Sequence, residues 1–281
     1  MTESKIILVA GASSGLGLAV AGALAEQGHT VYAGARSYRE PSRESMGEGG
    51  VLVKTVLDVT DDASVGALVD EIVRTEGRID VLVNCAALII LGAMEDLSLE
   101  ELNRVMDTNF TGAVRTCRRV LPHMRERGRG LIINFSSGAA LIGIPFQGAY
   151  CASKSAIEGF SEALRWEVKT RGIDVVIMEP GDNNAGSEKY RLHAARSGEG
   201  SPYLEDFKTV TRKIASDEAN GAGPEAVARA VVKIVNTRKP RIRYRVFRTF
   251  GERLLPLKML LPTAVAESLF FGYYNLKKGK K

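Results

Sequence analysis

The sequence predicts an α/β fold in which helices cover both faces of a doubly wound, parallel sheet. Three observations support this prediction: apolar runs alternate with helical segments, polar residues rarely interrupt the runs, and a glycine follows each helical segment. Strands that are buried on both faces have this nearly continuous apolar character. Repeated β-α-β units with right-handed crossovers then give three α/β/α layers.

The elements alternate regularly over most of the chain. The predicted strands lie at residues 6–10, 29–35, 51–57, 80–84, 130–135 and 174–179. The predicted helices lie at residues 16–27, 62–76, 98–127 and 148–171. Glycine ends a helix at little cost in the left-handed conformation, and the glycines that follow these helices are Gly28, Gly77, Gly128 and Gly172.

The chain of 281 residues is predicted to form one domain, residues 1–246, because no repeat and no linker interrupts it. Two regions depart from the pattern. Residues 182–222 are polar and rich in glycine, and they predict a mobile excursion rather than a strand or regular helix. Residues 247–281 form an appendix that is both apolar and basic.

The composition indicates a globular protein with a full apolar core, since 45% of the residues are hydrophobic and 25% are charged. Three scattered cysteines fit neither a disulfide framework nor a zinc site, and the three histidines have no ligand spacing, so no metal is predicted. These thiols, together with the lack of a secretory signal, predict a reducing, cytoplasmic compartment.

Basic residues are concentrated near the end of the chain, at residues 238–248 and 277–281, and the formal net charge is +5. A solvated surface and tail are expected there, with peripheral contact to an acidic membrane surface as the alternative. No nucleic-acid partner is predicted, because the sequence has no helix-turn-helix, zinc or RNA-binding motif.

The first apolar run leads directly into the loop GASSGLG at residues 11–17. Glycine permits a sharp turn there and lets a pyrophosphate approach the backbone amides at the helix N-terminus. The spacing G-x-x-x-G-x-G differs from the usual dinucleotide motif, so a tight turn without a ligand is the alternative. The candidate cofactor-binding residues here are Gly11, Ser13, Ser14, Gly15, Leu16 and Gly17.

The ends of the next two predicted strands carry further cofactor candidates. Ala35 offers no carboxylate for a ribose hydroxyl and Arg36 offers a cation for a 2′-phosphate, so NADP(H) is preferred, with NAD(H) as the alternative. Arg36 could equally be an ordinary surface arginine. Asp58 could accept a hydrogen bond from adenine or cap the following turn, and Val59 lies beside it.

Tyr150 and Lys154 are four residues apart and share one face of a predicted helix. The same spacing recurs at Tyr273–Lys277 and Tyr274–Lys278, so spacing alone assigns no role. Only the first pair follows a strand and a serine, since Ser137 precedes Tyr150 by thirteen residues.

Taken in order, these motifs resemble the short-chain dehydrogenase/reductase family, and most closely its hydroxysteroid and retinol dehydrogenase branch. The likeness covers residues 5–236 and rests on the glycine loop with Asn84, Asn109, Ser137, Tyr150, Lys154, Pro180 and Gly181. It implies a Rossmann-type fold, a nicotinamide cofactor, and a homodimer or homotetramer formed through the helices at 101–127 and 148–171. It also implies cofactor contacts from Asn84, Ala86, Tyr150, Lys154, Pro180 and Gly181.

The resemblance implies a catalytic group of Asn109, Ser137, Tyr150 and Lys154. Hydride transfer to a carbonyl creates an alkoxide that must take a proton, and free tyrosine has a pKa of about 10. Lys154 is expected to lower that pKa, and Ser137 to hold the substrate oxygen. Asn109 is expected to hold a water that links Lys154 to solvent, or else to bond the backbone at a helix kink.

The excursion follows the last predicted strand and is expected to cover the cleft as a lid, with a surface loop as the alternative. Its candidate apolar contacts are Tyr190, Leu192, Tyr203, Leu204 and Phe207. The sequence thus predicts an NADP(H)-preferring alcohol dehydrogenase or carbonyl reductase for a lipophilic substrate. The alternatives are a catalytically silent NADP(H)-sensing regulatory protein, an epimerase or dehydratase on this fold, and a scaffold that uses the basic tail at a membrane.

Overall fold

An eight-stranded, mostly parallel sheet forms the centre of the molecule in a computed structural model, which describes residues 3–276 apart from the side chain of Met259. Its strands are β1 (Ile6–Ala10), β2 (Thr30–Ala35), β3 (Ser42–Ser45), β4 (Val51–Val56), β5 (Val81–Asn84), β7 (Gly130–Phe135), β8 (Ile173–Pro180) and β10 (Arg243–Val246). The spatial order is β10-β8-β7-β5-β1-β2-β4-β3, and only the β3–β4 pairing is antiparallel. The short strands β6 (Ile90–Leu91) and β9 (Leu192–His193) form a separate pair.

Helices cover both faces of this sheet, as the sequence predicts. They are α1 (Gly15–Glu26), α2 (Asp62–Glu76), α3 (Leu99–Met106), α4 (Gly112–Glu126), α5 (Gly148–Lys169), α6 (Leu204–Ala219), α7 (Pro224–Val235), α8 (Phe250–Leu254) and α9 (Thr263–Tyr273). A π-helical turn, Asp107–Thr111, joins α3 to α4 within the single long helix that the sequence predicts. Short 3-10 turns lie at Gly47–Gly49, Gly138–Ala140, Ser187–Lys189 and Leu255–Leu260.

Strand β1 shows why the apolar runs are continuous. Ile7 and Val9 pack into the core that α1 and α7 cover, whereas Ile6 and Leu8 pack into the opposite core under α2, α4 and α5. Successive side chains of a strand point to opposite faces, so a strand between two cores needs apolar residues at every position. The predicted Rossmann-type, three-layer α/β/α fold is therefore confirmed, and all six predicted strands belong to the sheet.

The prediction of an irregular excursion at residues 182–222 is wrong. This region contains β9 and the sixteen-residue helix α6, which buries Phe207, Val210 and Ile214. Those three residues follow helical spacing and form one apolar face, which outweighs the polar composition of the rest.

The last part of the described chain packs back against α6. Tyr274 joins Val210 and Ile214 in one buried cluster, and the Tyr273 hydroxyl donates to Asp217 Oδ2 at 2.8 Å. Lys277 and Lys278, the partners of these tyrosines in the two tail pairs, lie outside the described residues. Among residues 3–276, no helix is both long enough and apolar enough to cross a membrane.

Part of the basic segment at 238–248 is a strand rather than a solvated surface. Arg243 of β10 makes ion pairs with Glu158 and with Glu179, and Arg245 also pairs with Glu179. Glu179 is fully buried, so these two arginines neutralise a carboxylate inside the edge of the sheet.

Candidate active site

Two glycines of the loop after β1 are required by close backbone contacts. A Cβ on Gly11 would lie 2.4 Å from the amide nitrogen of Ala86, and the backbone φ of Gly11 is +88°. A Cβ on Gly17 would lie 2.1 Å from the carbonyl oxygen of Gly11. The turn therefore brings the loop and the start of α1 close to the end of β5. A side chain at Gly11 or Gly17 would prevent this close approach.

The start of α1 is open to an anion. Within the described part of the chain, the side chain of the N-cap residue Ser14 makes no capping hydrogen bond, and the first turn of α1 has no acidic residue. Its first amide hydrogens therefore face outward without an internal acceptor, at the positive end of the helix dipole. This cradle fits the pyrophosphate of a dinucleotide.

A cavity of about 960 Å³ extends from this glycine cradle to the C-terminal appendix. Most of the predicted site residues line it: Gly11, Ser13, Ser14, Gly15, Leu16, Gly17, Arg36, Val59, Ala86, Ser137, Tyr150 and Gly181. The structure thus brings the glycine loop, the cation after β2 and the two hydroxyl groups onto one continuous wall.

The other five predicted site residues lie behind this wall: Asp58, Asn84, Asn109, Lys154 and Pro180. The Asn84 amide is part of a buried network, in which it donates to Asn134 Oδ1 at 2.8 Å and accepts from Thr116 Oγ1 at 2.7 Å. Pro180 ends β8 opposite Val246. Asn84 and Pro180 therefore lie within the sheet, at the ends of β5 and β8, and neither is on the cavity wall.

The side chain of Asp58 caps the turn that follows it. Its Oδ1 atom accepts from the Thr60 amide at 2.9 Å and from Thr60 Oγ1 at 2.7 Å. Burial acts to raise the pKa of Asp58, but the bonds from Thr60 and the nearby charges of Arg36 and Arg115 lower it overall. The sequence allows Asp58 either to bond adenine or to cap the following turn, and in this structure its side chain caps the turn.

The hydroxyls of Ser137 and Tyr150 meet on the cavity wall. Ser137 follows β7 and caps a short 3-10 turn, in which its Oγ accepts from the Ala139 amide at 3.1 Å. Tyr150 lies in the first turn of α5. Burial raises the pKa of Tyr150 to about 12, against the opposing effect of its hydrogen bond with Ser137.

Lys154 lies one turn further along α5, beneath the phenol ring. Its Nζ is 5.6 Å from the centroid of the Tyr150 ring and donates to the carbonyl oxygen of Phe135 at 2.8 Å. Burial lowers the pKa of Lys154 to about 8. The pKa of Tyr150 therefore lies above its ordinary value and that of Lys154 below its own, because desolvation favours the neutral form of both side chains.

Asn109 lies in the π-helical turn, and its side-chain amide is fully occupied. Nδ2 donates to Leu88 O and to Ser153 Oγ, both at 3.0 Å, and Oδ1 accepts from the Leu88 amide at 2.6 Å. This is the backbone-bonding role at a helix kink that the sequence left open. Both amide hydrogens are used, so neither is left to hold a relay water.

The excursion does cover the cavity, but with other residues than predicted. Of its five candidate contacts, Tyr190 alone is on the wall. Phe207 instead packs edge-on against Phe146, and the Tyr203 hydroxyl donates to Glu95 Oε2 at 2.7 Å. Leu192 belongs to β9, and Leu204 begins α6. The wall is built instead by Arg191, Ile214, Asp217 and Glu218.

Residues 5–193 match the family model described as short chain dehydrogenase. The chain belongs to the short-chain dehydrogenase family. A 3-ketodihydrosphingosine reductase of Bacteroides thetaiotaomicron is 43% identical over 244 residues, which are 87% of this chain and 88% of that protein. Human 17-beta-hydroxysteroid dehydrogenase type 1 is 35% identical over 271 residues, which are 90% of this chain and 79% of that protein.

A solved structure of a short-chain dehydrogenase from Streptomyces avermitilis is similar over almost the whole molecule. The TM-score is 0.77 at 28% identity, with 97% of this chain and 98% of that chain covered. The family resemblance drawn from the sequence is thus confirmed. This short-chain dehydrogenase is an oxidoreductase, and its family binds nicotinamide cofactors and acts on small molecules.

The appendix of this short-chain dehydrogenase reaches the active site through Glu252, a residue that the sequence analysis does not single out. Glu252 of α8 is buried, and its carboxylate accepts from the backbone amides of Asp182 at 2.6 Å, Arg248 at 2.7 Å and Thr249 at 2.7 Å. A Cβ on Gly181 would lie 2.0 Å from Glu252 Oε1, so glycine is needed there for this contact. Only the Thr249–Glu252 capping-box spacing is visible in the sequence.

Asp182 lies on the cavity wall of this short-chain dehydrogenase, among other carboxylates. Burial, followed by the charges of Glu252, Asp217 and Glu218, raises the pKa of Asp182 to about 6. The side chain therefore changes its charge in mildly acidic solution, just after β8, where the sequence predicts the cofactor turn.

Proposed function

We propose that this oxidoreductase is an NADP(H)-preferring alcohol dehydrogenase or carbonyl reductase that interconverts a lipophilic ketone and its secondary alcohol. One observation carries the proposal: the side chains of Ser137 and Tyr150 both lie on the wall of a cavity that runs from the glycine cradle to an apolar end. A ketone in this cavity can reach a proton donor and a hydride source together.

The cradle at residues 11–17 would hold the pyrophosphate of the dinucleotide, which supplies the hydride when it is bound. Arg36 supports the preference for NADP(H). It is exposed on the cavity rim, and among the described residues it has no ion-pair partner, which leaves its guanidinium available for a 2′-phosphate. Ala35, at the end of β2, places no carboxylate there to repel that phosphate.

Tyr150 supplies the proton in the direction of reduction. With a pKa of about 12, the phenol is protonated at neutral pH and can donate to the alkoxide oxygen as the carbonyl carbon gains the hydride. Ser137 holds the same oxygen through its hydroxyl. Alcohol oxidation runs the same steps in reverse, with the phenolate as the proton acceptor.

Lys154 stabilises the phenolate that is left after this donation. At a pKa of about 8 it is mostly protonated at neutral pH, and its ammonium lies one helical turn below the ring. A cation so close to a desolvated phenolate favours the charged form of the tyrosine. Asn109 acts as a positioning residue, because its bonds join Leu88 to Ser153 of α5.

The far end of the cavity indicates the substrate class. Its wall there is built mainly from aliphatic and aromatic side chains of α6 and the appendix: Ile214, Leu254, Leu255, Leu261, Leu269 and Phe270. Such a wall favours a long hydrocarbon over a polar sugar. The 43% identical relative is named for a reaction on 3-ketodihydrosphingosine, which supports a long-chain ketone as the substrate.

The consumption of NADPH tests this function against a panel of long-chain amino ketones, steroid ketones, retinal, quinones, small ketones and sugars. The expected result is fastest turnover of a long-chain or polycyclic ketone, with NADH a poorer donor. Faster turnover of small polar sugars would overturn the substrate class. Cofactor binding with no turnover of any panel member would favour the regulatory alternative.

The domain boundaries and the assembly are also proposals. We take residues 1–246 as the dinucleotide-binding and catalytic domain, with its lid at about 182–222, and residues 247–281 as the appendix. Helices α4 and α5 are the proposed interface of a homodimer or homotetramer. Trp166 supports this assignment, because it lies on α5 with 76% of its surface exposed. A mass measurement by light scattering tests it.

A further inference from the structure

The appendix exposes a group of large apolar side chains that are close together in the sequence, which we call the apolar face. It consists of Phe250, Leu257, Leu260, Leu261, Val265 and Leu269, and each is exposed by 45% or more. Scattered apolar side chains are normal on a protein surface, but a concentration within one twenty-residue stretch marks an interaction site.

The elements that carry this face are too short to cross a bilayer. Helix α9 has eleven residues, which corresponds to about 16 Å at 1.5 Å per residue, against a hydrocarbon core of about 30 Å. A segment this short and apolar can instead rest at a membrane surface, with its exposed apolar side chains among the lipids.

The charge of the appendix matches an anionic surface. Residues 247–281 contain seven lysines and arginines and only two glutamates. One of these glutamates, Glu252, is buried against backbone amides, which leaves Glu267 as the exposed acid. Each basic residue close to an anionic bilayer contributes about 1 kcal/mol of attraction.

The position of the cavity mouth favours a lipid surface over a second copy of the chain. Leu261 and Leu269 belong to the apolar face and also line the cavity, so the cavity opens through this face. A protein bound there would cover the opening. A fluid bilayer would cover the leucines and still supply a lipophilic molecule to the cavity.

We propose that the protein binds reversibly to anionic phospholipid bilayers through the apolar face, with the cavity mouth turned toward the lipid. The choice of a bilayer as the partner rests on the lipophilic substrate proposed above, but the binding itself needs neither cofactor nor turnover. The basic residues attract the protein to the surface, and the exposed leucines then enter the interfacial region.

Flotation of the full chain with phosphatidylcholine vesicles, prepared with and without phosphatidylserine, tests the proposal. The wild type is expected to float with the phosphatidylserine vesicles and to dissociate in high salt. Leu260→Asp is expected to reduce binding by about tenfold, because it places a charge where an apolar side chain meets the lipid. Leu99→Asp is the matched control: both leucines are 78% exposed, but Leu99 lies on α3, outside the appendix.

Circular dichroism and the melting temperature show whether each variant is folded. Both substitutions are at exposed positions, so each variant is expected to fold. The proposal is overturned if the wild type fails to float, if Leu260→Asp binds as well as the wild type, or if Leu99→Asp loses as much binding. It is also overturned if the wild type does not float and Leu260→Asp instead dissociates an oligomer, because the face then contacts a second copy of the chain.

Discussion

The carboxylate of Glu252 accepts a hydrogen bond from the backbone amide of Asp182 at 2.6 Å, across seventy residues of sequence. This contact joins the appendix to the turn that follows β8, at the wall of the active-site cavity. The same carboxylate accepts two further amides at the start of α8. One buried side chain thus fixes both the start of the appendix and the shape of the turn.

Glu252→Ala is expected to lower the free energy of unfolding by about 2–3 kcal/mol, because three partly buried amides lose a charged acceptor and α8 loses its capping box. The KM for the ketone should rise, since the wall formed by the appendix is no longer fixed. Thermal unfolding and steady-state kinetics measure the two effects. Glu267→Ala, at an exposed glutamate of α9, should change neither, and an unchanged Glu252→Ala variant would contradict the structural role.

Tyr150→Phe should reduce kcat by about 10³-fold or more, because the alkoxide loses its proton donor, while the affinity for NADPH is preserved. Single-turnover kinetics and fluorescence titration with NADPH separate these effects. Tyr32→Phe is the control: burial also raises the pKa of Tyr32 to about 12, but its hydroxyl bonds Glu76, away from the cavity. Retained turnover in Tyr150→Phe would remove the proposed proton donor.

Arg36→Ala should weaken NADPH binding by about tenfold or more and leave NADH binding almost unchanged, because only NADPH carries a phosphate for this cation. Dissociation constants for both dinucleotides measure the change in preference. Arg39→Ala provides the comparison, as Arg39 is also exposed but lies off the cavity wall. Equal losses for both dinucleotides in Arg36→Ala would refute recognition of the 2′-phosphate.

The pKa of Asp182 makes stability depend on pH. The group titrates near 6 in the folded protein and near its ordinary value of 3.8 when unfolded, so the folded state holds the proton more tightly. The free energy of unfolding therefore falls as pH rises from about 4 to about 6, and above pH 6 the full loss of stability remains. Asp182→Asn should stabilise the protein at neutral pH by about 1–3 kcal/mol, with little effect below pH 4.

Melting temperatures of the wild type and of Asp182→Asn, measured between pH 4 and pH 7, test this prediction. Asp70→Asn, at an exposed carboxyl of α2, should shift the melting temperature little at any pH. A gain in Asp182→Asn that is equally large at pH 4 and pH 7 would show that the stabilisation does not come from removing the buried charge.

The main sheet could be predicted because its signals are local. The strands between two cores read as continuous apolar runs, and the helices end where glycine adopts a positive φ, as at Gly28 and Gly77. Strand β10 was missed because its arginines read as a solvated surface. Their partner, Glu179, lies 64 residues before Arg243 and 66 before Arg245.

Helix α6 was missed although its sequence carries a signal. Phe207, Val210 and Ile214 have the spacing of a buried helical face, which is a stronger indicator of a helix than the polar composition around them. The site residues Ser137 and Tyr150 were within reach of the sequence, because a strand end and the following helix bring them together. The direction in which the Tyr150 pKa shifts could not be predicted from the sequence, because desolvation depends on everything that packs around the phenol.

The cavity is assembled from opposite ends of the polypeptide: the glycine cradle lies at residues 11–17, and the closing wall extends to Tyr274. During translation the cradle and both hydroxyls leave the ribosome well before the residues that complete the enclosure. A nascent chain therefore exposes the glycine cradle first, and the cavity is completed only when synthesis has passed Tyr274.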